Sequence, residues 1–253
     1  MPTGEPLSRR VGLFTATSIV IANMVGAGIF TTTGLIASGL PNPFWVLMFW
    51  IIGGVIALSG ALCYAELSTR MPEDGGEYIY LSKLYHPSVG FLTGWTSFFV
   101  GFSAPIAASA LGFSEYILSG VEATASTLVW LKKFLGLGVI TIFTALHYFG
   151  HTWGGRIQNI LTVIKIVIIM GLAVLGWLVM DPGKIQLFES VGTSMGGLAI
   201  GTSMMFVMFS YSGWNASGYI AGELKNPRRT LPISLIAGTL AVMMIYLAVN
   251  LFI

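Results

Sequence analysis

Ile19-Val20-Ile21-Ala22-Asn23-Met24-Val25-Gly26-Ala27-Gly28-Ile29-Phe30 is the stretch that decides how this chain folds. It lies inside an apolar segment running from Val11 to Leu40, long enough to cross a bilayer, which takes roughly 20 residues. Glycine weakens a helix interior and bares its backbone, and lipid offers no partner to bare N–H and C=O groups. The Gly26-Ala27-Gly28 run therefore predicts a broken helix whose exposed backbone lines a protein cavity. A second apolar segment, Gly192 to Ala221, is interrupted in the same way at Ser212-Gly213. Paired breaks in corresponding positions of two halves point to a transporter binding site.

Composition supports a membrane setting. The chain is 55% hydrophobic and 9% charged, with mean hydropathy +0.83, where a soluble domain carries about a quarter charged residues. The net charge of +2 gives no footprint for nucleic acid, and the single cysteine, Cys63, excludes an internal disulfide. The first apolar run is too long for a cleavable signal peptide and lacks a small-residue cleavage site.

Working outward, the pattern predicts seven spans: about 11–39 (broken), 43–69, 88–119, 130–150, 156–180, 193–222 (broken) and 231–253. The third is long enough to tilt, and Pro105 predicts a kink within it. The polar turn Pro72-Glu73-Asp74-Gly75-Gly76 precedes a short interfacial helix at Tyr78-Ile79-Tyr80-Leu81. Trp45, Trp50, Trp95, Trp130 and Trp177 fall near span ends, where indole rings favour the interface. With the N-terminus inside, the cytoplasmic segments carry Arg9, Arg10, Arg70, Lys83, Arg156, Lys225, Arg228 and Arg229, and the external ones Lys132, Lys133 and Lys184, eight against three. That bias orients a multi-pass protein of the cell membrane with its N-terminus in the cytoplasm. The apolar end at Ile253 reads as truncation within a span, so the 253-residue chain is expected not to transport by itself.

Four ordered motifs resemble the amino acid–polyamine–organocation permeases, and within them the L-type amino acid transporter branch. Gly26-Ala27-Gly28-Ile29-Phe30 is similar to that family's first-helix motif, with Ala27 in place of the usual serine. Ala65-Glu66-Leu67 followed by Met71-Pro72-Glu73-Asp74-Gly75-Gly76-Glu77-Tyr78 resembles the signature after helix 2. Phe209-Ser210-Tyr211-Ser212-Gly213-Trp214-Asn215 resembles the helix 6 break. Glu223-Leu224-Lys225-Asn226-Pro227-Arg228-Arg229-Thr230-Leu231-Pro232 resembles the helix 6–7 junction. The resemblance implies an all-α, broken-helix, inverted-repeat transporter fold within a single transmembrane domain spanning residues 1–253. A first five-helix repeat would cover about 11–180, and the second would begin at about 193–253, truncated after about seven of the family's usual twelve helices. It implies sodium-independent amino acid transport by alternating access, as an exchanger (antiporter) or a proton-coupled permease. Helices 1 and 6 would rock against helices 3 and 4.

An amino acid zwitterion needs N–H donors for its carboxylate and C=O acceptors for its ammonium. A helix that restarts at Ile29 offers free amides and the positive end of a dipole to the carboxylate, with Gly26, Ala27 and Gly28 allowing close approach. Carbonyls at Ile21, Ala22 and Asn23, with those near Phe209, Ser210, Ser212 and Gly213, suit the ammonium. The competing reading is that Gly26 and Gly28 serve close helix packing; the second break favours the site. In the resembling family the aromatic at the Phe209 position closes over substrate, while packing is the better expectation for Tyr211 and Trp214. Asn215 would bond across the break or cap the second half-helix.

Lys165 lies nine residues beyond Arg156, about 13.5 Å further along a helix and close to mid-bilayer. A lysine there faces the bundle interior or water. It matches the helix 5 lysine that, in sodium-independent members, sits where relatives bind sodium, and it reads either as a charged strut or as a proton carrier. Other signals imply less. His147 and His151 share spacing with metal ligands but have no thiolate or carboxylate beside them. Glu66, Glu77 and Glu223 suit salt bridges with Arg70, Lys83, Arg228 or Arg229 rather than catalysis, and Ser103 suits either pocket lining or, more commonly, packing against backbone. No cofactor is implied, the partners expected are an amino acid, lipid and protons, and the sequence identifies no accessory subunit. The alternatives are a non-transporting helical bundle, structural or receptor-like, or an inactive transporter fragment; a membrane enzyme ranks below both, for want of an acid–base pair.

Overall fold

The computed structural model describes Arg9 and residues 11–26, 28–40, 42–149, 151–179 and 196–251. It is helical, and extended pairing among the described residues is confined to one isolated parallel bridge between Val11 and Leu224. Among the described residues, five helices are long and apolar enough to cross a membrane: Pro43–Arg70, Pro87–Leu118, Ala125–Leu146, Ile157–Val179 and Pro227–Leu251, with shorter apolar helices at Leu13–Met24 and Gly197–Ser210. We label them α1 (Leu13–Met24), α2 (Gly28–Gly39), α3 (Pro43–Arg70), α4 (Glu77–Leu84), α5 (Pro87–Thr96), α6 (Ala104–Leu118), α7 (Ala125–Phe149), α8 (His151–Val179), α9 (Gly197–Ser210) and α10 (Pro227–Leu251). A π-helical stretch, Ser97–Ser103, joins α5 to α6, and a 3₁₀ segment, Ala216–Glu223, follows the second break.

The chain divides into two compact units, Met1–Gly76 with Asn159–Ile253, and Glu77–Gln158. In the first, α3 is the helix around which the others pack. Asn42 accepts the Phe44 amide through Oδ1 at 2.7 Å, and Pro43 at the first turn lacks the amide that would otherwise be orphaned. Its buried face runs Val46, Phe49, Trp50, Gly53, Gly54, Ala57, Ala61, Ala65 and Ser68, the three-and-four spacing of one helical stripe. Helices in lipid are not pressed together by water, so small residues at the contact decide how closely they approach. A Cβ on Gly54 would lie 2.8 Å from Met243 Cγ, and one on Gly60 would lie 2.7 Å from the Trp214 ring. Glycine is thus required where α10 and the second break meet α3. Glu66 and Arg70 pair at 2.6 Å on the last turn, as their spacing predicts.

The second unit is built locally. The predicted interfacial helix is α4, packed on α5 where Gly94 leaves room for the Tyr78 ring. The long third span takes its irregularity from the π stretch: Ser103 Oγ donates to the Phe98 carbonyl five residues back, 2.5 Å away, and Pro105 sits in the first turn of α6, where its missing N–H is tolerated. Lys132 pairs with Glu115 at 2.7 Å between α7 and α6. One expectation fails. Trp50 is not an interfacial ring but fully buried, edge-on to Tyr211 and Tyr246 with centroids 5.6 and 5.2 Å away, because the small residues of α3 draw α9 and α10 over it.

Candidate functional site at the two helix breaks

α1 ends because its ladder is broken at glycine. The Val25 amide still donates to the Ile21 carbonyl at 2.8 Å, but the Gly26 amide turns to the Met24 carbonyl at 2.9 Å instead of reaching Ala22 four residues back. The Ala22 carbonyl is thereby released from the ladder. α2 restarts at Gly28, with its first amides directed toward the break. Ala27 and the side chain of Phe30 lie outside the described residues.

At the second break, α9 ends at Ser210 and the chain turns through Tyr211–Asn215 before the 3₁₀ segment. Gly213 has φ +97°, a left-handed conformation that side chains rarely adopt. The two breaks meet reciprocally. A Cβ on Gly213 would lie 2.9 Å from the Asn23 carbonyl carbon, at the end of α1, and a Cβ on Gly28 would lie 2.8 Å from Ser210 Oγ and 3.1 Å from Ser210 Cα, at the end of α9. Each helix end thus rests on the glycine of the other break. A buried bridge closes the crossing, with Thr32 Oγ1 2.9 Å from Ser210 Oγ.

The two readings of the first-break glycines are divided between them. Gly28 is a packing glycine, pressed on Ser210. Among the described residues beyond its chain neighbours, Gly26 has no atom within 4 Å of where its Cβ would sit, so its flank is open space beside exposed backbone. Lys165, exposed over much of its length, brings its ammonium 3.3 Å from the Val25 carbonyl and so places a cation at the end of α1. Phe209 is half exposed, and its carbonyl accepts the Ser212 amide at 3.1 Å and Ser212 Oγ at 2.7 Å.

Tyr246 is the residue that sequence reasoning missed. Its hydroxyl, on α10, stands 2.7 Å from the Met24 carbonyl and 3.1 Å from the Ser210 carbonyl, so one side chain serves the ends of both interrupted helices. A lone phenol in the apolar run Met243-Met244-Ile245-Tyr246-Leu247 was the available signal, since a buried hydroxyl demands a partner. Tyr211 packs as expected: it is fully buried, and its hydroxyl donates to the Trp50 carbonyl at 3.1 Å. Trp214 packs edge-on to Tyr64, centroids 4.9 Å apart. Asn215 does not cap the 3₁₀ segment with its side chain; its amide donates to the Tyr219 hydroxyl at 3.2 Å within the segment. The side chains of His147 and His151 lie outside the described residues.

The arrangement presents acceptors at the end of α1, donors at the start of α2, and a fixed ammonium, all within one unit. A separate cavity of about 390 Å³ in the second unit, lined by Tyr78, Phe91, Gly94, Trp95, Phe98 and Phe99, offers a zwitterion no charged partner. The features at the breaks define a class: integral multi-pass membrane proteins whose helices are interrupted in pairs. Residues 11–253 match the amino acid permease family, and the chain belongs to it, within the amino acid–polyamine–organocation superfamily. It is 31% identical over 248 residues to the b(0,+)-type amino acid transporter 1 of Mus musculus, a match covering 96% of this chain and 50% of that protein. It is 30% identical to the serine/threonine exchanger SteT of Bacillus subtilis (strain 168), covering 96% of this chain and 54% of SteT. The Asc-type amino acid transporter 1 of Mus musculus is 27% identical over 96% of this chain and 47% of its own length. The chain thus spans about half the length of the curated relatives it matches.

Proposed function

We propose that a full-length carrier containing this chain moves amino acids across a membrane by alternating access, without sodium, as an exchanger or a proton-coupled permease. The observation that carries this reading is the reciprocal seating of the two breaks, Asn23 on Gly213 and Ser210 on Gly28, with open space at Gly26. The substrate carboxylate takes the amide at Ile29, just beyond the glycines of the break, where the dipole of α2 is positive. The ammonium takes the carbonyls of Ala22 and Asn23, with Ile21, Ser210 and Ser212 completing the acceptor side through their second lone pairs. Phe209 closes over the bound molecule and excludes water. Lys165 supplies at the Val25 carbonyl the positive charge that a sodium ion supplies elsewhere, which is the physical ground for sodium independence. The fold that completes the cycle is a pair of inverted five-helix repeats, the first over about 11–180 and the second opening at about 193, in a cell membrane with the N-terminus in the cytoplasm.

The test is exchange of labelled serine and other neutral amino acids by the full-length carrier in sodium-free liposomes. Saturable exchange is expected, and Lys165→Ala should reduce it by about tenfold or more, since an ammonium bonded to a carbonyl at the break is lost. If Lys165 is a strut, an imposed proton gradient leaves wild-type transport unchanged; if it cycles protons, the gradient drives accumulation that Lys165→Ala abolishes. Absence of both saturable exchange and proton-driven accumulation, or an absolute sodium requirement, overturns the proposal in favour of a non-transporting bundle or a sodium-coupled carrier respectively.

A further inference from the structure

At the end of the first unit that holds the start of α1, three stretches far apart in sequence are tied together. The Val11 amide donates to the Glu223 carbonyl at 3.1 Å, and the Lys225 amide donates to the Val11 carbonyl at 2.8 Å, one rung of parallel pairing between the residues just before α1 and those just after the 3₁₀ segment. From the turn after α3, Asp74 Oδ1 accepts the Gly222 amide at 2.7 Å, and the Gly75 amide donates to the Tyr219 carbonyl at 3.1 Å. Two glycines make the approach feasible: a Cβ on Gly222 would lie 2.7 Å from Asp74 Oδ2, and one on Gly76 would lie 2.7 Å from the Tyr219 ring. Beneath the ties Ala16, Ala221, Leu224 and Leu231 form a small core of their own, fully buried.

A 3₁₀ helix has poor hydrogen-bond geometry and is uncommon beyond three or four residues. This one runs eight residues and is distorted at Ile220 (φ −112°, ψ 28°), so its end depends on bonds from outside it. Of the four bonds in the clasp, three join backbone to backbone; the bond from Asp74 is the one a side chain supplies, and it is charge-assisted.

We infer that Asp74 is a positioning residue: it holds the 3₁₀ segment on the chain leading into α1, so that these two half-helices swing as one lever. The swing rests on the transport reading above; the clasp does not. The first test is backbone hydrogen exchange of the chain in lipid nanodiscs. Asp74→Ala should speed exchange of the Gly222, Gly75, Val11 and Lys225 amides together by about tenfold or more, because a hydrogen bond to a charged group is lost from a cooperative unit. Asp74→Asn, which keeps an acceptor at the same reach without the charge, should stay nearer the wild type than Asp74→Ala does. Faster exchange at Gly222 alone, with Val11 and Lys225 unchanged, overturns the lever; no change at Gly222 overturns the role of Asp74. Should Asp74→Ala fail to fold, Asp74→Glu pushes the carboxylate into Gly222 and must loosen the same four amides more than Asp74→Asn does.

The second test is transport by the full-length carrier. Asp74→Ala should lower maximal exchange rate severalfold with the half-saturation concentration unchanged, and Asp74→Asn should restore it. An unchanged rate, or a changed half-saturation alone, overturns the lever's part in turnover. A wild-type carrier that does not transport sinks the transport reading and leaves the exchange result to decide the clasp.

Discussion

At the first break the chain leaves α1 at Met24 and restarts at Gly28, with open space on the flank of Gly26. At the second break the side chains are pinned. Tyr211 is buried with its hydroxyl on the Trp50 carbonyl, Trp214 lies edge-on to Tyr64, and Gly213 bears against Asn23. Both breaks expose backbone in an apolar segment, where unpartnered groups cost several kcal/mol. One leaves polar backbone beside a space, and the other anchors its turn with aromatic rings. The difference teaches that a pair of breaks need not be built alike: one keeps polar backbone beside a space, and the other is the anchored surface on which the first is held.

Gly213→Ala should do the most damage, because it combines two faults. The residue holds φ +97°, and its Cβ would meet the Asn23 backbone at 2.9 Å. Strain and overpacking together place the loss at about 2–6 kcal/mol of stability, read as a lowered melting temperature in nanodiscs. A wild-type melting temperature would mean the anchored break is not anchored there. Gly28→Ala presses on Ser210 and should lower stability by about 1–3 kcal/mol; the same melting measurement checks it. Tyr246→Phe keeps the ring and removes the hydroxyl from the Met24 and Ser210 carbonyls, a change of about 1–3 kcal/mol. Its double-mutant cycle with Thr32→Val should reveal coupling through Ser210; additivity would separate the two bridges. Gly26→Ala should leave stability within about 0.5 kcal/mol, since nothing meets its Cβ, while weakening substrate binding by the full-length carrier. Equal effects of Gly26→Ala and Gly28→Ala on melting would erase the distinction between space and packing.

Much of this was legible in the sequence because its signals are local. Apolar length set the spans, and the predicted segment 43–69 is α3 at Pro43–Arg70. Glycine placed both breaks, since the loss of a helix ladder depends on the residue at that position. The division of labour between Gly26 and Gly28 was not legible: two identical residues differ only in what stands opposite, and Ser210 is 182 positions away from Gly28. Trp50 was misplaced for the same reason, because proximity to a span end favours the interface while the small stripe of α3 exposes its effect only once α9 and α10 have packed. Tyr246 was overlooked because its partners are backbone carbonyls, which carry no mark in a sequence.

The π stretch at Ser97–Ser103 carries a consequence for comparing this chain with others. A wider turn accommodates one more residue than an α-helix over the same rise, and each residue of a helix is offset from the next by about 100° around the axis. The stripes on α5 and α6 therefore belong to two different phases of one rod. Pairing this helix with an uninterrupted one, residue for residue and without a gap, aligns one half and turns every side chain of the other to the wrong neighbour. Deleting a single residue between Ser97 and Ser103 would restore a regular helix and, in the same stroke, carry Ser114 and Glu115 away from Gly136 and Lys132, the positions they now face on α7.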